Sequence, residues 1–181
     1  GFAVAIAAAA AARGYDVYGW DTRTYLSGFT SGKVTLTEAQ VVADMRAMAV
    51  AVRPGGEERI IISGWSEGAG LALLGASAPQ NQSVFRGLLA VGLPDRAFLG
   101  WRLADSVTYL TKRNPNEPDF DCLPLLPKVS PLPLAMIQSS GDEYVTMALA
   151  RKMFDAAAEP KRFFPVEARN HRYDGSQQAF F

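Results

Sequence analysis

Short apolar runs and amphipathic stretches alternate along the chain. Residues 2–12 are an alanine-rich apolar run that reads as a buried helix closed by Gly14, because glycine takes the left-handed conformation that ends helices. Residues 15–20 read as a short strand and 21–34 as a loop. Thr35-Leu36-Thr37-Glu38 has the form of a capping box. It opens a helix to about Arg53, with Val41, Met45, Met48 and Val52 on one face. Arg59-Ile60-Ile61-Ile62-Ser63 is a compact β-branched run, as expected of a buried parallel strand. Residues 64–68 form a turn and 69–76 the body of a small-residue helix. Strands are expected at 87–92, 132–138 and 162–168, a helix at 145–157, and a polar loop at 170–175. Residues 176–181 read as the first turn of a further helix. Helix and strand in alternation imply an α/β fold with a mainly parallel sheet flanked by helices. The five strand candidates centre on Val17, Ile61, Leu89, Ala135 and Phe164, with the Val17 strand expected at an open edge.

Residues 93–131 interrupt this rhythm. They hold five prolines between Pro115 and Pro131 and room for one short helix in 96–110. A stretch of this length without pattern is usually functional, so 93–131 is read as a proline-rich insertion or lid on a single domain spanning 1–181. The chain opens inside an element, which suggests that N-terminal strands and a C-terminal helix lie outside it.

Composition narrows the chemistry. Lys plus Arg equals Asp plus Glu at 18 each, so no charge excess favours nucleic acid or an anionic membrane. The apolar run at 2–12 is shorter than the about 20 residues a spanning helix needs, so no transmembrane segment is expected. Cys122 and His171 are the only residues of their kinds, which excludes a disulfide framework, a multi-cysteine metal site and a His-rich metal centre. No phosphate-binding or dinucleotide glycine pattern occurs. No metal or cofactor is therefore expected.

The central motif is Gly64-Trp65-Ser66-Glu67-Gly68, placed between a strand and a helix rich in Ala, Gly and Leu. That setting suits a nucleophile elbow, in which a sharp turn lifts the serine hydroxyl out of the sheet. Both glycines are expected to be required by close packing there. A duller role for Ser66 is to cap the helix. A serine hydroxyl needs a base, and His171 follows the last strand. The base in turn needs a carboxylate. Asp142, after Gly141 and three residues before Val145, is favoured over the adjacent Glu143. The backbone N–H of Glu67 is a candidate oxyanion donor, and Trp65 a candidate wall of the substrate pocket. Phe98, Trp20, Trp101 and Tyr109 could also line it. Asp21 reads as a structural hydrogen-bonding residue, and Cys122 as an unreactive thiol.

The order Ser66, Asp142, His171 is that of α/β-hydrolases, and the chain resembles that superfamily over nearly its whole length. Residues 13–21 resemble the helix, strand and aspartate before the elbow. Gly141-Asp142-Glu143-Tyr144-Val145 resembles the acid loop, and Glu167-Ala168-Arg169-Asn170-His171 the histidine loop. Residues 19–25 with Leu36-Thr37-Glu38 are similar to the VirJ/AcvB group of bacterial virulence-associated hydrolases. The resemblance implies an α/β-hydrolase fold and a serine hydrolase of small-molecule or lipid esters. It also implies a second oxyanion donor on a loop preceding Gly1. A lactone or peptide hydrolase, and a non-catalytic binding protein on the same scaffold, are the alternatives.

Overall fold

The computed structural model describes residues 2–30, 35–53, 56, 60–107, 111 and 115–176. The expectations that fall on 31–34, Arg59, Tyr109 and 177–181 lie outside them. Five helices occur among these residues: α1 (Phe2–Ala11), α2 (Thr22–Thr30), α3 (Glu38–Ala51), α4 (Glu67–Ser77) and α5 (Met147–Ala156). The strands are β1 (Ile60–Trp65), β2 (Phe85–Val91), β3 (Arg96–Phe98), β4 (Asp119–Asp121), β5 (Leu134–Ser139) and β6 (Lys161–Val166). The main sheet has the order β1-β2-β5-β6, and every pair in it is parallel. Layered with its helices, this is the α/β-hydrolase fold.

The two faces of the sheet are covered differently. Leu88, Ala90, Leu134 and Met136 belong to the large core with α3, α4 and α5. Helix α4 is buried from Ala69 to Ser77, and its glycines set how close its neighbours come. A Cβ on Gly75 would lie 2.2 Å from Met45 Sδ, and one on Gly70 would lie 2.3 Å from Ala97 Cβ. The other face carries a smaller cluster, Val91 and Tyr173, against which Ile6 of α1 packs.

Several expectations change. Helix α1 forms, and Gly14 has φ 85°, but the helix is not buried: Val4 is 69% exposed. Residues 15–20 join no ladder, and Tyr15, Val17 and Tyr18 are exposed. An extended run without a hydrogen-bonded neighbour is no strand. The open edge therefore falls to β1, where Ile61 is 54% exposed, so this strand is marginal in the sheet and not buried on both faces. Residues 22–30, expected as loop, are helical because Asp21 caps them: its carboxylate accepts the Thr24 N–H at 3.0 Å and the Thr24 hydroxyl at 2.9 Å. The cap of α3 is Thr37, two residues later than expected, with its hydroxyl accepting from Gln40 N–H at 3.2 Å. Within 96–110, β3 pairs antiparallel with β4, and a 3-10 turn follows at Leu103–Val107, where one helix was expected.

Candidate active site

Trp65, Val91, Ile137 and Phe164 form one row across the four parallel strands. Beyond this row lies the C-terminal edge of the sheet, where parallel α/β folds place their sites. Ser66 is the next residue after β1. Asp142 follows β5 and His171 follows β6. All three are thus on one edge.

Ser66 has φ 55° and ψ −123°, a conformation costing roughly 1–3 kcal/mol for a residue with a side chain. The surrounding backbone holds it there. Its N–H donates to Val91 O at 2.9 Å, and its carbonyl accepts from Ala69 and Gly70 at 2.8 and 3.3 Å. Its hydroxyl makes no capping bond to α4, so the capping role is not taken up. A Cβ on Gly64 would lie 2.1 Å from Gly68 O, so only glycine fits there. Gly68 differs. A Cβ there meets nothing nearer than Thr22 Cγ2 at 3.8 Å, and the expected steric need holds at Gly64 alone.

Glu67 opens α4, so its backbone N–H has no i−4 carbonyl within the helix to bond. Its carboxyl accepts the Phe98 N–H of β3. Burial pushes its pKa up to about 7, and the Phe98 amide only partly offsets this.

Asp142 and His171 are both buried. His171 Nδ1 lies 2.7 Å from Asp142 Oδ2. A carboxylate only accepts, so Nδ1 carries a proton, and in the neutral imidazole Nε2 keeps its lone pair. Nε2 is buried and has no hydrogen-bond partner among the described residues, Ser66 Oγ included. Asp142 Oδ1 accepts the Tyr144 and Val145 N–H groups, each at 2.9 Å, and Oδ2 also accepts Gln138 Nε2 at 3.0 Å. Burial acts to raise the Asp142 pKa, but the His171 ring and these two amides together hold it below its ordinary value. Glu143 does not touch the ring. Its Oε2 accepts the backbone N–H of His171 at 2.8 Å.

Trp65 stacks on the imidazole, with ring centroids 5.6 Å apart, and its indole N–H donates to His171 O at 3.3 Å. Tyr144 meets the imidazole edge-on at 5.3 Å. Trp20, Trp101 and Phe98 sit at or in the large core instead. Cys122 is fully buried, and its thiol is pushed up to about 12 by burial and then by Glu67, Asp95 and Asp121.

Two residues escaped the sequence. Gly92 has φ 58°, and a Cβ there would lie 2.8 Å from His171 Cε1. Its place at the end of an expected strand was the one available signal. Gln138 is 1% exposed and donates to both Asp142 and Val145 O; a glutamine inside an apolar strand gives no such sign. Among the described residues no group of three or more His, Cys, Asp or Glu could hold a metal ion. No described helix is long and apolar enough to cross a membrane.

No protein-family model and no curated protein matches the chain. Solved structures do. The esterase domain of a Rhodothermus marinus protein superposes with a TM-score of 0.54 at 20% identity, covering 77% of this chain and 63% of that one. A Pyrococcus furiosus esterase gives 0.57 at 18% identity, covering 78% and 57%. A structure assigned to the α/β-hydrolase superfamily, from Xanthomonas campestris pv. campestris, gives 0.61 at 18% identity, covering 98% and 83%. The chain thus spans less than two thirds of the length of both esterases. At these identities the likeness is one of fold.

Proposed function

We propose that this chain is a serine hydrolase acting on small-molecule or lipid esters, with Ser66 as nucleophile, His171 as base and Asp142 as the acid that orients it. The observation that carries this reading is the buried His171–Asp142 pair at 2.7 Å, its Nε2 unpartnered, on the sheet edge that also bears Ser66 in a positive-φ turn. His171 Nε2 takes the proton of Ser66 as Oγ attacks the ester carbonyl. The Asp142 carboxylate stabilises the imidazolium that forms. The Glu67 N–H, at the positive end of α4, donates to the developing oxyanion. His171 then protonates the leaving alcohol, and water hydrolyses the acyl-enzyme by the same steps reversed. The Ser66–His171 bond is open in the free protein and closes in the substrate complex, as hydrogen bonds of this kind commonly do. Trp65, packed beside the imidazole, forms one wall of the pocket. The esterases among the similar structures accord with an ester substrate.

A fluorophosphonate probe tests the assignment. It should label the wild-type chain and fail on Ser66→Ala, with p-nitrophenyl acetate hydrolysis lost in parallel. Equal labelling of Ser66→Ala would refute it.

A further inference from the structure

The acid loop touches the histidine loop through four consecutive residues. Ser140 N–H donates to Val166 O at 2.9 Å, and Ser140 Oγ accepts from Ala168 N–H at 3.2 Å. Gly141 lies so close that a Cβ would come within 2.5 Å of Ala168 O. Asp142 takes the imidazole of His171, and Glu143 takes its main chain at 2.8 Å. The first two contacts act at or before Arg169, upstream of the base. The Asp142 bond fixes the ring at Nδ1, and the Trp65 indole N–H holds the His171 carbonyl at 3.3 Å, which leaves the His171 N–H to be held. Glu143 supplies that hold, its carboxyl oxygen accepting the His171 N–H at 2.8 Å.

The geometry assigns Glu143 as a positioning residue for His171: two adjacent carboxylates grip one histidine, Asp142 by its ring and Glu143 by its backbone amide. This rests on the serine-hydrolase reading for its effect on rate, though not for its structural content. Asp142 is buried and saturated with hydrogen bonds, whereas Glu143 is exposed and spends one oxygen on His171. The second carboxylate thus works by geometry, through an acceptor oxygen that an amide can also provide.

Three variants separate the possibilities. Glu143→Ala and the length-matched Glu143→Met remove the acceptor; Glu143→Gln keeps an acceptor oxygen and removes the charge. Loss of the hold displaces Nε2, so kcat should fall on the order of ten- to a hundredfold in Ala and Met with KM within about threefold. Glu143→Gln should recover most of that loss. The second readout needs no turnover. His171 is the only histidine, so its Nδ1 proton, bonded to Asp142, gives one assignable downfield NMR resonance. That signal should persist in Gln and broaden or vanish in Ala and Met while the circular dichroism stays native. Wild-type kcat and an unchanged resonance in Ala and Met would overturn the assignment. So would Gln failing as badly as Ala, which would place the effect in the charge. If the wild-type chain hydrolyses no ester, the function proposal fails and the resonance alone decides the role of Glu143.

Discussion

Glu67→Gln should abolish a pH dependence of stability that the native chain carries at its elbow. The Glu67 carboxyl is raised from 4.5 to about 7, chiefly by burial. The folded state therefore holds this proton more tightly than the unfolded chain does. The stabilisation is fully present below about pH 4.5 and is lost as the pH rises through about 7. A displacement of about 2.5 on the pH scale, at about 1.4 kcal/mol per unit, amounts to roughly 3 kcal/mol between pH 4.5 and pH 8.5. Glutamine keeps a carbonyl oxygen for the Phe98 N–H and has no proton to lose. Urea denaturation of both proteins at pH 4.5 and pH 8.5 reads the effect directly. With an m-value of about 1–3 kcal/mol/M, the wild-type midpoint should fall by about 1–3 M more than that of the variant. Other titrating groups are common to both and cancel in the difference. Parallel midpoints at the two pH values would refute the claim that burial raises this carboxyl beside Ser66.

Gly92→Ala should cost activity on the order of a hundredfold, because its Cβ would sit 2.8 Å from His171 Cε1, and about 1 kcal/mol of stability from the positive φ; steady-state kinetics and thermal melting check both, and a wild-type kcat would contradict the packing. Asp142→Asn should lower kcat by about four orders of magnitude with the fold retained. The same substitution should flatten the acid limb of stability: the lowered Asp142 pKa contributes above 3.8 and is lost as the pH falls below it, which acid titration followed by circular dichroism would show. Cys122, fully buried and with its thiol pushed up to about 12, should resist Ellman's reagent at pH 8 until denaturant is added; rapid reaction of the native chain would show the thiol to be accessible.

What the sequence discloses depends on whether a signal is local. Helix α3, strands β1, β2, β5 and β6, and helices α4 and α5 announce themselves by periodicity or by compact apolar runs, and they fold within about three residues of the expected bounds. Residues 15–20 have the composition of a strand, but a strand is a relation between two segments, and none of the described residues pairs with them. Helix α2 hid behind Gly28 and a polar start, although Asp21 and Thr24 carried a cap signal. The β3–β4 ribbon depends on Arg96 meeting Asp119 and Asp121 across more than twenty residues, which no local pattern displays. At the site, motif order placed Ser66, Asp142 and His171 on one edge of the sheet. The parts that hold them were not legible. Gly92 and Gln138 matter only through atoms distant in sequence, and Glu143 could be ranked against Asp142 but not given its own partner.

The burial of α4 has a consequence for how this protein tolerates change. An ordinary surface helix such as α5, with Ala150 and Met153 inside and its other positions open or half-open, accepts substitution along an outward stripe. Helix α4 has no such stripe. From Ala69 to Ser77 every residue is enclosed, and two glycines are pressed against Met45 and Ala97. A saturation scan should therefore show periodic tolerance along α5 and uniform intolerance along α4. Because α4 begins at the residue after Ser66, variation that disturbs the core there also moves Ser66. Sequence drift along this helix therefore cannot trade stability without disturbing the turn at Ser66.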